Sequence, residues 1–156
     1  MKLYLSGHPY RYAVEQMMLT VFPEDRPEFV DEIPSDGDFA ILELKETPKS
    51  LFGIATVSRG GRVETATTRM RASQDELLYK RNAQQALKLA FYRASRPFLK
   101  IAPPWGAMTG IRPAKLAARL YAEGNDDAAV DRILKDSYHV VKRRRELCCQ
   151  VAKVGE

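Results

Sequence analysis

The sequence predicts an α+β protein, with a small antiparallel sheet of β-α-β-β-β order and packed helices, followed by a three-helix C-terminal segment. Short β-branched stretches come first, and Gly60-Gly61 in "VSRGGRVE" supplies the positive φ angles of a tight hairpin turn. From Ser73 onward the apolar residues recur with the period of an α-helix. The 156 residues are enough for two parts, which we place at residues 1–100 and 101–156.

Each element of the first part has its own pattern. "KLYLS" alternates as a short strand does, and the helix that follows ends at Pro23. "FAILELKE" and the two arms of the glycine hairpin supply the other three strands of this order, and the connection before them is a candidate for an additional short strand around residues 29–32. The first helix is expected to bury a stripe of apolar side chains, namely Ala13, Val14, Met17, Met18 and Val21.

The helices of the second half are bounded by capping residues, prolines and glycines. "SQDE" matches a capping box, with Ser73 as N-cap and Glu76 three residues later, and it predicts a long helix that ends before Pro97. Three shorter helices follow: one is bounded by Pro113 and Gly124, one is capped by Asn125 or Asp126, and one covers residues 142–154.

Charge is distributed unevenly along the chain. Residues 1–78 carry 9 Lys and Arg against 13 Asp and Glu, a net charge of −4. Residues 79–156 carry 16 against 7, a net charge of +9. The second half is therefore expected to attract anions such as phosphate, carboxylate or nucleic acid, although a solvated basic face is the plainer interpretation.

The chain carries none of the usual catalytic or targeting motifs. It has no apolar run long enough for a membrane span or a signal peptide, so we expect a cytoplasmic protein without a membrane segment. Cys148 and Cys149 are adjacent, which disfavours a disulfide and gives no zinc spacing; we expect one to be packed in a core and one partly exposed. The two histidines, His8 and His139, are far apart in sequence. We therefore expect no metal site and no complete active site.

An irregular segment, "PPWGAMTGIRP" at residues 103–113, separates the long helix from the shorter ones, and we call it the elbow. Gly106 and Gly110 allow positive φ angles, as a turn requires. Pro113 suits the first turn of the next helix, and Trp105 is expected to fill a gap between helices. A turn between helices therefore explains the prolines, the glycines and the Trp.

Arg112 and Lys115 are not explained by that structural role. An Arg before a helix start, beside free backbone N–H groups, can clamp an anion or a carboxylate. The last helix offers an alternative, a helix-turn-helix arrangement in which the basic run Arg143–Arg145 enters the major groove of DNA. Those three arginines are consecutive and fan around a helix, and Gln150 is the one nearby residue suited to base edges. Nucleic-acid binding is therefore the less favoured interpretation.

The elbow lies within a longer stretch that resembles a known family. "PWGAMTGIRPAKL", at residues 104–116, is similar to the PWG-x-[LM]-TGIRP-[TA]-K signature of HemZ-type radical S-adenosylmethionine proteins. These are oxygen-independent coproporphyrinogen III oxidase-like proteins, or coproporphyrinogen dehydrogenases. "LYLSGHPYRYAVEQMMLTVFP", "LLYKRNAQQALKLAFYRAS" and "ILKDSYHVVKRRRELCCQVAK" extend the similarity to nearly the whole chain. Val141, Lys142 and Arg143 stand where the family pattern has an acidic, Ser-Glu-Glu-like start.

The resemblance implies that the chain is the N-terminal region of a longer oxidoreductase of porphyrin and haem biosynthesis. Such proteins continue into a radical S-adenosylmethionine barrel, whose C-x3-C-x2-C motif holds a [4Fe–4S] cluster. The implied reaction is the oxidative decarboxylation of two propionates of coproporphyrinogen III. Residues 1–156 lack that cysteine trio, so the resemblance implies an accessory domain with neither cofactor nor activity of its own, and a helical connector to the barrel.

The resemblance also gives the elbow candidate partners. Arg112, Lys115, Trp105 and Thr109 are the candidates for contact with the barrel or with a propionate of a tetrapyrrole substrate. In this hypothesis the chain docks on its own barrel or shapes substrate access. Two alternatives stay open: a nucleic-acid-binding module that uses the basic C-terminal helices, and a purely structural or oligomerisation domain.

Overall fold

The computed structural model describes residues 1–108 and 112–154. They form two compact units, Met1–Lys100 and Ile101–Glu156. The first contains β1 (Lys2–Ser6), α1 (Arg11–Val21), β2 (Glu28–Phe29), β3 (Phe39–Glu46), β4 (Ser50–Arg59), β5 (Arg62–Arg71), α2 (Glu76–Ser95) and a short 3₁₀ helix (Arg96–Phe98). The second contains α3 (Pro113–Ala122), α4 (Asp127–Asp136) and α5 (Lys142–Val154).

The first unit is a five-stranded sheet with packed helices, which confirms the α+β fold class. The strand order is β2-β1-β3-β4-β5. β3, β4 and β5 form the predicted antiparallel meander, and Gly60 and Gly61 both have positive φ at the hairpin. β1, in contrast, runs parallel to β2 and β3, so the sheet is mixed. The connection through α1 brings the chain back to the starting end of β1, which makes the next strands parallel to it.

One face of the sheet carries the core of the first unit. α2 packs on β4 and β5, α1 packs against α2, and the five apolar residues of α1 predicted from their spacing are all buried. The backbone of α2 lies very close to β4. A Cβ atom added at Gly53 would collide with the carbonyl group of Ala86, so only glycine fits there. Thr68 on β5 donates its hydroxyl hydrogen to the same carbonyl oxygen. Gly53 and Thr68 therefore fix the position of α2 on the sheet.

The predicted capping box of α2 is wrong in its details. Asp75 is the N-cap, since its carboxylate accepts a hydrogen bond from the N–H of Leu78 at 2.9 Å. Ser73 instead accepts from the N–H of Asp75 at 3.1 Å, in the turn before the helix. A serine hydroxyl forms such a local turn as readily as it caps a helix, and a carboxylate also interacts favourably with the helix dipole.

The second unit is helical. Pro113 occupies the first turn of α3, and Gly124, with φ of 96°, follows its end. α4 is capped by Asp126, whose carboxylate accepts from the N–H of Ala129 at 2.8 Å. The helices enclose a small core, made of Met108, Leu116, Ala117, Leu120, Val130, Leu134, Val140, Cys148 and Ala152. Among the described residues of both units, no helix is both long and apolar enough to cross a membrane.

Candidate functional site

The described part of the elbow is fastened to the turn between α4 and α5. The N–H of Ala107 donates to the carbonyl oxygen of Tyr138 at 2.7 Å. In the opposite direction, the N–H of Val141 donates to the carbonyl oxygen of Pro104 at 3.1 Å. Two backbone hydrogen bonds of opposite sense fix both the position and the orientation of the elbow on this turn.

Gly106 allows that close approach. Its φ is 59°, and its N–H closes a tight turn by donating to the carbonyl oxygen of Pro103 at 2.9 Å. A Cβ atom at this position would collide with the carbonyl groups of Tyr138 and His139. Glycine is therefore required here for close packing as well as for its φ angle. Gly110, the other predicted turn glycine, lies outside the described residues.

Trp105 is half-buried and packs against the core of the second unit. The guanidinium carbon of Arg144, on α5, lies 5.6 Å from the centroid of its ring, a cation–π distance. Among the described residues, the cation beside Trp105 is thus Arg144, from the basic run of α5. Its role was not predicted, because three consecutive arginines give no indication of which one faces an aromatic ring.

Arg112 and Lys115 lie at the N-terminus of α3, where Arg112 is the N-cap residue. Both side chains are exposed, and neither forms an ion pair or side-chain hydrogen bond with another described residue. The first turn of α3 contains no acidic residue. Cations are unfavourable at a helix N-terminus, so this pair does not serve the stability of the helix. Thr109, the remaining predicted contact residue, lies outside the described part of the chain.

Other cations of the second unit are engaged in ion pairs. Arg145 lies 2.8 Å from a carboxylate oxygen of Asp131 and donates to the carbonyl oxygen of Val140 at 2.9 Å. Lys153 forms an ion pair of 2.8 Å with Asp127. Arg144 and Arg145 are therefore held by contacts within the unit. This weighs against the hypothesis that α5 presents its whole basic run to a nucleic acid.

The two cysteines differ in burial. Cys148 is buried and Cys149 is half-buried, as predicted. Burial raises the pKa of Cys148 to about 11, and the neighbouring Cys149 adds to the effect. Cys148 therefore stays protonated at neutral pH, which makes it a poor nucleophile.

His8 also has a structural role. Its Nε2 lies 3.0 Å from the carbonyl oxygen of Leu42, and its Nδ1 accepts from the N–H of Tyr10 at 3.0 Å. These partners require the neutral tautomer with the proton on Nε2. Burial lowers the pKa of His8 in agreement with that state. With both ring nitrogens engaged, His8 is not available as a catalytic base.

The residues present do not fit a [4Fe–4S] cluster. Such a cluster takes three or four cysteine thiolates, and the sequence has two cysteines, one of them buried. Among residues 1–108 and 112–154, no three His, Cys, Asp or Glu side chains are grouped so as to hold a metal ion. Comparison with protein-family models, curated proteins and solved structures found no match for this chain.

Proposed function

We propose that this chain is the non-catalytic N-terminal part of a HemZ-type radical S-adenosylmethionine protein of cytoplasmic porphyrin and haem biosynthesis. In this proposal its helical unit docks on the catalytic barrel of the same polypeptide or shapes access of the tetrapyrrole substrate. The radical chemistry, the [4Fe–4S] cluster and S-adenosylmethionine belong to the barrel. The proposal depends on the elbow motif and its resemblance to the family signature.

One structural observation supports a recognition role for the elbow. The backbone of residues 104–107 of the elbow is fixed to the α4–α5 turn, and the helix that follows begins with two exposed cations that have no described carboxylate partner. Arg112 and Lys115 belong to the start of a formed helix, so little backbone has to be ordered when an anion binds. Arg112 and Lys115 are three residues apart and so lie on one side of α3. Together with the N–H groups of Ala114 and Lys115 in the first turn, which no described side chain caps, they are suited to an anionic group.

Carboxylates are the anions that both versions of the proposal provide. The propionates of coproporphyrinogen III are carboxylates on short flexible arms, and an acidic surface of the barrel would present the side chains of Asp or Glu. Arg112 would bind a carboxylate in a bidentate manner, and Lys115 would add a second charge. Substrate contact and barrel docking thus use the same chemistry, and an experiment must separate them.

A porphyrin titration tests the substrate version. Trp105 is the only Trp of the chain, so quenching of its fluorescence by coproporphyrin III reports binding, and the variants show whether the elbow is the site. We expect the double variant Arg112→Ala, Lys115→Ala to bind at least about tenfold more weakly, since two charge-assisted hydrogen bonds are lost. The variant Arg132→Ala, Lys135→Ala is the matched control, because it removes two exposed cations at the same spacing from α4.

The outcomes distinguish the versions of the proposal. Equal porphyrin binding by both double variants would overturn the substrate version and leave barrel docking. Reading about 60 codons beyond Glu156 then tests the parent assignment: a C-x3-C-x2-C motif supports it, and a stretch without that motif contradicts it. If the chain instead self-associates and binds no porphyrin, the oligomerisation alternative is favoured.

A further inference from the structure

The face of the sheet that is opposite α1 and α2 carries an unusual set of side chains. Strand alternation directs Leu51, Gly53 and Ala55 of β4 toward α2, and their neighbours in sequence toward the other side. We call this other side the open face. Its half-buried apolar residues come from three strands and include three aromatic rings: Tyr4, Phe39, Ile41, Phe52 and Ile54.

One end of the open face is strongly cationic. Lys45 on β3 and Arg69 on β5 are both paired with Phe52 on β4, so the ring has a cation on either side. Arg71, two residues beyond Arg69, points to the same face. We call Lys45, Phe52, Arg69 and Arg71 the cationic corner. The three cations are exposed, and none forms an ion pair with a described carboxylate.

Arg69 is held in position by hydrogen bonds at the β3–β4 turn. Its Nε donates to the hydroxyl of Ser50 at 2.9 Å. Ser50 is fixed in turn by two hydrogen bonds to Thr47. The N–H of Ser50 donates to the hydroxyl of Thr47 at 3.0 Å, and the N–H of Thr47 donates to the carbonyl oxygen of Ser50 at 2.8 Å. The guanidinium carbon of Arg69 lies 6.0 Å from the centroid of Phe52. The terminal amino groups of Arg69 make no bond to a described residue, so they are free for an external acceptor.

We propose that the open face binds single-stranded nucleic acid without strong sequence preference. A base stacks on Phe52, while Lys45, Arg69 and Arg71 contact phosphates on either side of it. Aromatic rings beside a cationic track are the combination that single-stranded nucleic acids require, because every base has a face that can stack. An acidic protein segment would satisfy the cations but would gain less from a ring held between them.

The rest of the open face fits the same ligand. Tyr4 and Phe39 offer further rings along the path of a strand, and Thr65 and Thr67 add exposed hydroxyl groups on β5. Two acidic residues share this face: Glu43 is half-buried, opposite Ile54 and next to Lys45 on the same side of β3, and Glu28 is paired with Lys2 at the far edge of the sheet. The three cations of the cationic corner outnumber the one carboxylate beside it. A sheet face suits splayed bases better than a duplex, which is read by elements that enter a groove. This inference is independent of the proposed role of the elbow.

Fluorescence anisotropy with the whole chain tests the proposal. The probe is a fluorescein-labelled oligo(U) of about 12 nucleotides, titrated at several salt concentrations. We expect binding near 50 mM salt, with a slope of log K against log salt of about −2 for three phosphate contacts. Phe52→Leu keeps an apolar side chain and should weaken binding about tenfold. Phe52→Trp should retain affinity, and base stacking should quench the fluorescence of the new Trp.

Control variants separate this surface from other basic surfaces. Phe98 also has a guanidinium over its ring, that of Arg62 at 5.6 Å, so Phe98→Leu is a matched control that should leave the affinity unchanged. Arg143→Gln, on α5, should also have no effect. Several results would overturn the proposal: no binding at low salt, an unchanged affinity in Phe52→Leu, or equally tight binding of duplex or poly-glutamate. Loss of affinity in Arg143→Gln alone would assign binding to α5 and equally overturn it.

Discussion

Gly106 is the residue whose substitution should most disturb the elbow. In Gly106→Ala the new Cβ would be forced against two backbone carbonyl groups, and φ would stay at an unfavourable 59°. We expect the free energy of unfolding of the helical unit to fall by about 3 kcal/mol or more, from backbone strain plus lost packing. Urea denaturation followed by Trp105 fluorescence measures this loss.

Gly124→Ala is the matched control for that substitution. Gly124 has φ of 96°, which is no easier for alanine, but a Cβ atom there would meet nothing within 4 Å. The decrease in the free energy of unfolding of Gly124→Ala should therefore come from backbone strain alone, about 1–2 kcal/mol. Equal losses at the two glycines would contradict the conclusion that close packing on the α4–α5 turn is what requires Gly106.

His8 should make the stability of the first unit dependent on pH. Its pKa is lowered in the folded state by burial, whereas in the unfolded chain it stays at about 6.5. Below about 6.5 the unfolded chain therefore binds a proton that the folded protein takes up less readily, and stability falls as pH decreases. Above that pH the imidazole is neutral in both states and the loss disappears.

Urea denaturation between about pH 7.5 and 5.5, followed by far-UV circular dichroism, measures the effect. His8→Gln removes the titrating group while it retains a side-chain donor and acceptor, so its stability should change less over this range. A variant with the same pH dependence as the parent chain would show that His8 is not responsible.

At the scale of the element, the sequence predicted which face of a helix is buried better than it predicted which strands pair. The stripe of α1, from Ala13 to Val21, was predicted in full because helical periodicity is a property of local sequence. The parallel alignment of β1 with β3 was not, since alternation is the same in parallel and antiparallel strands and does not identify the neighbour. The N-cap of α2 was misplaced from Asp75 to Ser73, because both are good capping residues and their competition is decided by the turn before the helix.

Of the two candidate surfaces, the sequence predicted only the one whose residues are close together in the chain. Arg112 and Lys115 were identified from sequence because an elbow rich in proline and glycine marks a helix start. The cationic corner was not identified, because Lys45, Phe52 and Arg69 are brought side by side only by the register of three strands. Sequence motifs reveal contiguous sites, whereas sites assembled across a sheet need the register.

At the scale of the whole molecule, the charge asymmetry of the sequence does not follow the structural division. The two halves carry −4 and +9, but residues 1–100 hold 15 Lys and Arg against 13 Asp and Glu, and residues 101–156 hold 10 against 7. The units are thus +2 and +3. Net charge therefore does not single out the helical unit as the anion-binding part, and local arrangement of cations decides where anions bind.

The division into units gives a prediction about autonomous folding. Met1–Lys100 has a complete sheet with two helices over one face, so we expect this fragment alone to unfold cooperatively with a stability of about 5 kcal/mol. Ile101–Glu156 is little more than half as long and has a small core, so we expect it to be marginal in isolation. Urea denaturation of each fragment, followed by far-UV circular dichroism, measures both.

Gly53→Val in the longer fragment tests whether that stability comes from the contact between α2 and the sheet. The valine side chain would collide with the carbonyl group of Ala86 and displace α2 from β4, so the cooperative transition should be lost or greatly weakened. Gly37→Val is the control, because a Cβ atom at Gly37 would meet nothing within 4 Å. Its loss of stability should therefore come only from the positive φ of Gly37. A longer fragment that does not unfold cooperatively would contradict its autonomy. A Gly53→Val fragment as stable as the Gly37→Val fragment would show instead that its stability does not depend on the close seating of α2 on β4.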